Sequence, residues 1–181
     1  MGNPGFRTWW GVWLCPMIFC ESEPGNTIFQ KPLNVSNLQT KIMVNYWLAK
    51  QEPSGPRGYN FEQLKKDKTT VWDGVHNNLA LKHMREMKPG DLVLFYHTGD
   101  ERQAVGIMQV TSKPYSNPKE DVERFIVVDV KYKKTLKKPV TLTEIKNNKK
   151  FKDWELVKIS RLSVMPVPKP IWDEIIKISQ G

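Results

Sequence analysis

Few side chains in this sequence could do covalent chemistry, and they are scattered. A catalytic reading would begin from His76, His83, His97 and Ser163, together with Cys15 and Cys20. Nucleophilic catalysis needs a nucleophile, a base beside it and a group that orients the base. His97 and Ser163 offer no such third partner, so His97 reads as a structural histidine at a strand end. His76 and His83 are seven residues apart and lie near one helical face, but no supporting carboxylate accompanies them. A Cys-x4-Cys pair lacks the four ligands of a structural zinc site, and residues 43–181 contain no cysteine. The expectation is a protein that binds rather than catalyses, with no cofactor and no metal.

The charge carries more information. The chain holds 28 Lys and Arg against 19 Asp and Glu, a net +9, and such an excess favours polyanions: nucleic acid or an acidic membrane surface. Lys131, Lys133, Lys134, Lys137 and Lys138 form one run around Tyr132, and Lys146, Lys149, Lys150 and Lys152 form a second cluster. Such runs are either a solvated face or a flank for a phosphate backbone. The second reading requires affinity that falls steeply with salt and carries no sequence preference. No apolar stretch approaches the roughly eighteen residues of a membrane-spanning helix, so no membrane partner is expected.

The elements that must position these residues follow from pattern. Asn45–Lys50 reads as a strand ended by Glu52-Pro53 and a Gly/Pro loop that Glu52 and Pro53 help to order. Asn60 is placed to cap a short helix over Phe61–Lys66, and Thr69–Trp72 is a β-branched strand that turns at Asp73-Gly74. A helix over Asn77–Lys88 stops at Pro89-Gly90. Asp91–His97 is nearly all apolar, the pattern of a strand buried on both faces. Ala104–Thr111 and Arg124–Tyr132 are further strands. Thr141-Leu-Thr-Glu144 has capping-box spacing, Ser160–Val167 is β-rich, and Pro170 opens a final apolar-faced helix. Strands and short helices without regular alternation give an α+β fold with a compact, strongly bent sheet.

Residues 1–42 look foreign to this plan. They carry Arg7, Lys31 and Lys41 against Glu21 and Glu23, so most of the net charge lies downstream. Pro4, Pro16, Pro24 and Pro32 forbid a long helix there. Arg7 ahead of an apolar stretch is a weak signal-peptide pattern without a cleavage site. The segment is expected to be a mobile extension or an upstream stretch joined by a misassigned start, with Met43 as the natural initiator and one domain over 43–181.

A specific resemblance emerges from motifs in order along that domain. They are Tyr46-Trp47-Leu48 with Lys50 and Glu52-Pro53, then Thr70 and Trp72-Asp73-Gly74-Val75 with Asn77. Gly90-Asp91, Val93–His97, Val105-Gly106-Ile107, Val128-Asp129-Val130 and Arg161-Leu162-Ser163-Val164 continue the series. This set resembles the EVE domain and is similar to the thymocyte nuclear protein family, across residues 44–178. The resemblance implies a PUA-like β-barrel flanked by short helices, related in shape to the YTH readers of methylated RNA. It implies recognition of modified bases, modified cytosine in DNA above all, through a pocket for an extruded base, and no catalysis. An RNA-binding PUA- or YTH-like module is the alternative, and a nucleic-acid-processing enzyme a more distant one. DNA is expected ahead of RNA as partner, in the cytoplasm of a prokaryote or the nucleus of a eukaryote. Two departures stand out: Gln51 occupies a place the family gives to serine, and His76–Leu81 replaces a stretch that carries two arginines and an aromatic.

The resemblance implies a pocket, and a pocket for a flipped base must stack on it and hydrogen-bond its edge. Trp47 and Trp72, with Tyr96 third, are the candidate walls, each also eligible for the core. Asp73 can accept from an exocyclic amine, and Asn77 can donate and accept, unless both serve only a turn and a helix cap. Gln51 would narrow the pocket or add an amide contact; His97 and Ser163 complete the candidate lining. Lys50 and Arg161 are candidate phosphate contacts, joined by the run Lys131–Lys138.

Overall fold

The structure, a computed structural model, describes residues 43–181. The expectations for residues 1–42, including the two cysteines, lie outside the described residues.

The chain opens with β1 (Tyr46–Gln51), α1 (Phe61–Asp67), β2 (Thr69–Trp72) and α2 (Asn78–Glu86). It continues with β3 (Leu92–His97), β4 (Gln103–Val110), the short β5 (Tyr115–Ser116) and the long β6 (Ile126–Thr141). It ends with α3 (Leu142–Asn147), α4 (Glu155–Lys158), β7 (Val164–Pro166) and α5 (Lys169–Ile178). One mixed sheet runs β2-β6-β4-β3-β1-β7, with β5 added to β6. Among the described residues only β1 and β3 pair in parallel. Parallel neighbours need a crossover rather than a hairpin, and the stretch containing α1, β2 and α2 supplies it.

The sheet curls. In a flat sheet β2 and β3, three strands apart, would lie roughly 14 Å from each other at about 4.8 Å per strand. Yet the ring of Trp72 on β2 meets Phe95 on β3 edge-on at 5.4 Å between centroids. Phe61, from α1, fills the same hollow at 5.2 Å from Phe95. Its ring lies over Gly106 of β4, where an added Cβ would stand 2.0 Å from ring carbon, so only glycine admits it. The result is an open half-barrel with an aromatic concave face.

Local signals act as the sequence reading expects in several places. Asn60 accepts from the Gln63 amide and Asn77 from those of Leu79 and Ala80, and caps of this type contribute about 1 kcal/mol each. Thr141 and Glu144 form a reciprocal capping box on α3. Val93–His97 are all buried, because β3 sits between two neighbours and under helices on the outer side.

The main difference concerns β6, which runs on to Thr141 rather than ending at Tyr132. Its register against β4 slips twice, once around Lys133 and again between Thr135 and Val140. Each slip sets two consecutive lysines outward, Lys133 with Lys134 and Lys137 with Lys138. Bulges thus erase the period of two that marks a strand. They also accommodate Pro139, which has no N–H for a ladder.

Candidate nucleic-acid interface

A cleft of about 380 Å³ opens where the end of β1, the loop after it and β2 meet. Gln51, Arg57, Tyr59, Trp72, Asp73 and Lys119 line it. Its volume lies in the range of roughly 300–1,000 Å³ typical of small-ligand sites.

Each wall has a traceable origin. The loop of residues 52–59 folds back on itself: the Gly58 amide donates to the Gly55 carbonyl at 2.9 Å and the Tyr59 amide to Glu52 at 2.9 Å. A Cβ on Gly58 would lie 2.4 Å from the Ser54 carbonyl carbon, so the fold-back requires glycine there. This turn delivers Arg57 and Tyr59 to the cleft. Tyr59 donates its hydroxyl to Asp67 at 2.9 Å. Burial, reinforced by that carboxylate, pushes its pKa up to about 12, so the phenol stays neutral. The Gln51 amide donates to the Arg57 carbonyl at 3.1 Å, tying strand to loop. Trp72 is 6% exposed and serves as a wall that also belongs to the core.

Asp73 is half-buried and already partnered. Its carboxylate accepts from Lys119 Nζ at 2.9 Å, and the lysine is 74% exposed. Ion pairs this open to water contribute about 0–1 kcal/mol, so Lys119 can leave at little cost and free an acceptor in the cleft.

The structure separates the other candidates from this group. Trp47 lies in the core, its indole N–H donating to the buried Asp91 at 3.0 Å. Asp91 also accepts from the Asn45 and Lys88 amides, which fixes the Trp47 ring away from Trp72. Asn77 is spent capping α2 and does not line the cleft. His97 accepts the Phe61 amide on Nε2 at 3.2 Å and meets Glu101 through Nδ1 at 2.6 Å. Both nitrogens are engaged, and His97 holds the Glu101 carboxyl below its ordinary pKa. The Ser163 carbonyl accepts from the Lys50 amide at 2.8 Å, while Arg161 is exposed elsewhere on that stretch.

Lys50 and Tyr96 are also elsewhere. They are direct partners across β1 and β3, so their side chains share the face opposite Gln51. There they line a second cleft on the convex side. Burial lowers the Lys50 pKa and raises that of Tyr96 to about 12. Of the lysine run, Lys131, Lys133, Lys134 and Lys137 are exposed. Lys138 is exposed too and pairs with Glu144 at 2.7 Å.

Arg57, Tyr59 and Lys119 are the lining residues that sequence reasoning missed. The Gly55-Pro56-Arg57-Gly58-Tyr59 run signals a tight turn, which was the available cue; Lys119 carried none. Glu52 plays the ordering part expected of it, accepting from the Thr98 hydroxyl at 2.7 Å. Among the described residues no group of three or more His, Cys, Asp or Glu is arranged to hold a metal ion. No described helix is long and apolar enough to cross a membrane.

A curled mixed sheet flanked by short helices defines a PUA-like half-barrel. The EVE domain profile matches residues 45–178, and the chain belongs to that family. Among curated proteins it is similar to mouse (Mus musculus) thymocyte nuclear protein 1, at 30% identity over 77% of this chain and 76% of the relative. An NMR structure of a Rhodopseudomonas palustris protein shares 36% identity at a TM-score of 0.71, covering 76% of this chain and 94% of that one. Human THYN1, solved in complex with DNA containing 5-methylcytosine, gives 27% identity and a TM-score of 0.71 over 76% of this chain and 98% of that one.

Proposed function

We propose that this protein is a nucleic-acid-binding module whose concave cleft accepts an extruded base, with modified cytosine in DNA as the preferred target, and that it performs no chemistry on it. The observation that carries this reading is the cleft itself. It is open to solvent, combines Tyr59 and Trp72 with the Gln51 amide and the Asp73 carboxylate, and has Arg57 and Lys119 at its sides. An aromatic lining offsets part of the few kcal/mol that extrusion costs. Stacking returns roughly 1–3 kcal/mol per base, more than the exposed Asp73–Lys119 pair contributes. Once Lys119 turns to a phosphate, Asp73 is free to accept the exocyclic amine of cytosine. The relative solved with 5-methylcytosine DNA supports DNA as the partner.

The exposed lysines of β6 supply a flank for the backbone, which positions a strand without reading it. The engaged nitrogens of His97 support a binding role, since the base that a hydrolytic site would need is already committed to the fold.

The test is a titration of the chain against matched oligonucleotides, DNA and RNA, each plain and carrying 5-methylcytosine, followed by fluorescence anisotropy. Tighter binding of methylated DNA is expected, and Asp73→Asn, which keeps the shape but removes the charged acceptor, should weaken plain and methylated cytosine alike, because both carry the same exocyclic amine. A 2-aminopurine placed beside the modified base should brighten on binding as its stack opens. Equal affinity for all four oligonucleotides, or binding of methylated DNA untouched by Asp73→Asn, refutes the proposal.

A further inference from the structure

The convex cleft is built differently from the concave one. It encloses about 430 Å³ and draws its lining from four elements of the fold, with Lys50, Arg102 and Lys146 contributing three cations. No Asp or Glu lines it. Lys138, Lys150, Lys158 and Lys169, by contrast, each sit against an acid. Three cations around one hollow repel each other and concentrate positive potential there, with Asp100 and Glu101 set apart in the adjoining recess that Arg102 and Lys146 also border.

Their placement is prepared in advance. Lys50 is half-buried, and its ammonium donates to the Ser160 carbonyl at 2.9 Å. An ammonium has three donors, so others remain for a ligand. Arg102 spends Nε on the Gly99 carbonyl at 3.0 Å, which steers the guanidinium and leaves its terminal nitrogens without a hydrogen bond among the described residues. Its backbone holds φ at 45°, a left-handed conformation that residues other than glycine adopt only at a cost. The Leu142 amide, donating to the Arg102 carbonyl at 2.7 Å, holds it there. The hairpin loop after β3 therefore keeps an arginine in a strained pose beside a lysine held by a second loop. Tyr96, Thr98 and Ser160 add hydroxyls to the lining, and Leu142 gives an apolar side.

We propose that this convex-face cleft is a phosphate seat, in which Lys50, Arg102 and Lys146 together hold one phosphoryl group. The group can belong to a nucleic-acid backbone or to a free phosphate, and both present the same tetrahedral oxyanion to the same donors. The proposal is independent of the concave cleft, which faces the other side of β1.

Amide chemical shifts of the full chain, followed by NMR, separate the outcomes. Inorganic phosphate should move the amides of Gly99, Arg102 and Lys146 along a saturable curve, against a sodium chloride control of equal ionic strength. Lys146→Gln and Arg102→Gln alter exposed side chains, and each is expected to weaken phosphate binding at least tenfold. An eight-residue oligothymidylate without terminal phosphates then identifies the source. If it moves the same amides and competes with phosphate, the seat serves the backbone; if it leaves them still, the seat takes a free phosphate. Because that oligonucleotide holds no cytosine, the result stands whatever becomes of base recognition. A phosphate titration that never saturates, or one that both variants leave unchanged, overturns the proposal.

Discussion

Replacing Gly58 with alanine tests whether the fold-back loop makes the concave cleft. The new methyl would stand 2.4, 2.5 and 2.6 Å from the Ser54 carbonyl carbon, its oxygen and its Cα. All three are backbone atoms, so no side chain can rotate away, and ordinary contact requires the loop to open by about 1 Å. Two backbone hydrogen bonds hold the loop closed, Gly58 to Gly55 and Tyr59 to Glu52. Losing both costs about 1–2 kcal/mol at a typical net value of about 1 kcal/mol each. The loss is local, because Ser54, Gly55, Pro56 and Arg57 are exposed. Binding suffers more, since Arg57 and Tyr59 move with the loop and Gln51 loses its tie to the Arg57 carbonyl. Forfeiting one stacking contact of roughly 1–3 kcal/mol lowers affinity by at least fivefold. Anisotropy with methylated DNA, read beside urea denaturation, measures both quantities. A variant that binds within twofold of the parent while its loop amides shift would refute the assignment of Arg57 and Tyr59 to the cleft.

Three further outcomes are expected. Glu144 has its pKa depressed from 4.5 to about 2, chiefly by the Lys138 hydrogen bond and then by Thr141. Its contribution to stability is present above its ordinary pKa and lost as pH falls toward 2. Glu144→Gln should therefore destabilise the protein by about 1 kcal/mol at neutral pH, the two proteins converging in acid denaturation near pH 2. Replacing Lys133 and Lys134 with glutamine should weaken methylated and plain DNA alike and lower the log-affinity versus log-salt slope by about 2; a change in methyl preference instead would contradict a backbone role. His83 is buried between α2 and α4, with both ring nitrogens unpartnered and Glu155 3.9 Å away. The double change His83→Leu with Glu155→Leu is expected to raise stability by about 1 kcal/mol in urea melts, because it removes the unsatisfied polar atoms of both partners together.

Local features were legible in the sequence, and tertiary ones less so. The capping box at Thr141, the caps at Asn60 and Asn77, and the double-sided burial of β3 depend on neighbours along the chain or on a single run of residue types. The motif series from Tyr46-Trp47 to Arg161–Val164 identified the family and with it the curled sheet. The composition of the cleft was harder, because it depends on which way each strand faces. Lys50 and Gln51 adjoin in sequence yet serve opposite sides. Trp47 and Trp72 belong to similar motifs, but a carboxylate at position 91 takes the first indole into the core. Asn77 has cap chemistry and pocket chemistry in the same amide, and the fold commits it to the cap. Lys119 reaches Asp73 from 46 residues away, with no pattern to announce it.

The alternation at the end of β1 gives the molecule an uncommon dependency. Amide and ammonium hang from consecutive Cα atoms and look out on opposite sides of a layer one residue thick. Removing a single residue between Leu48 and Lys50 would shift the following segment by one place and turn each group toward the other's surroundings. The ammonium would then meet the aromatic hollow and the amide the cluster of cations, so one short deletion would disable both recesses while every side chain beyond it stayed in the chain.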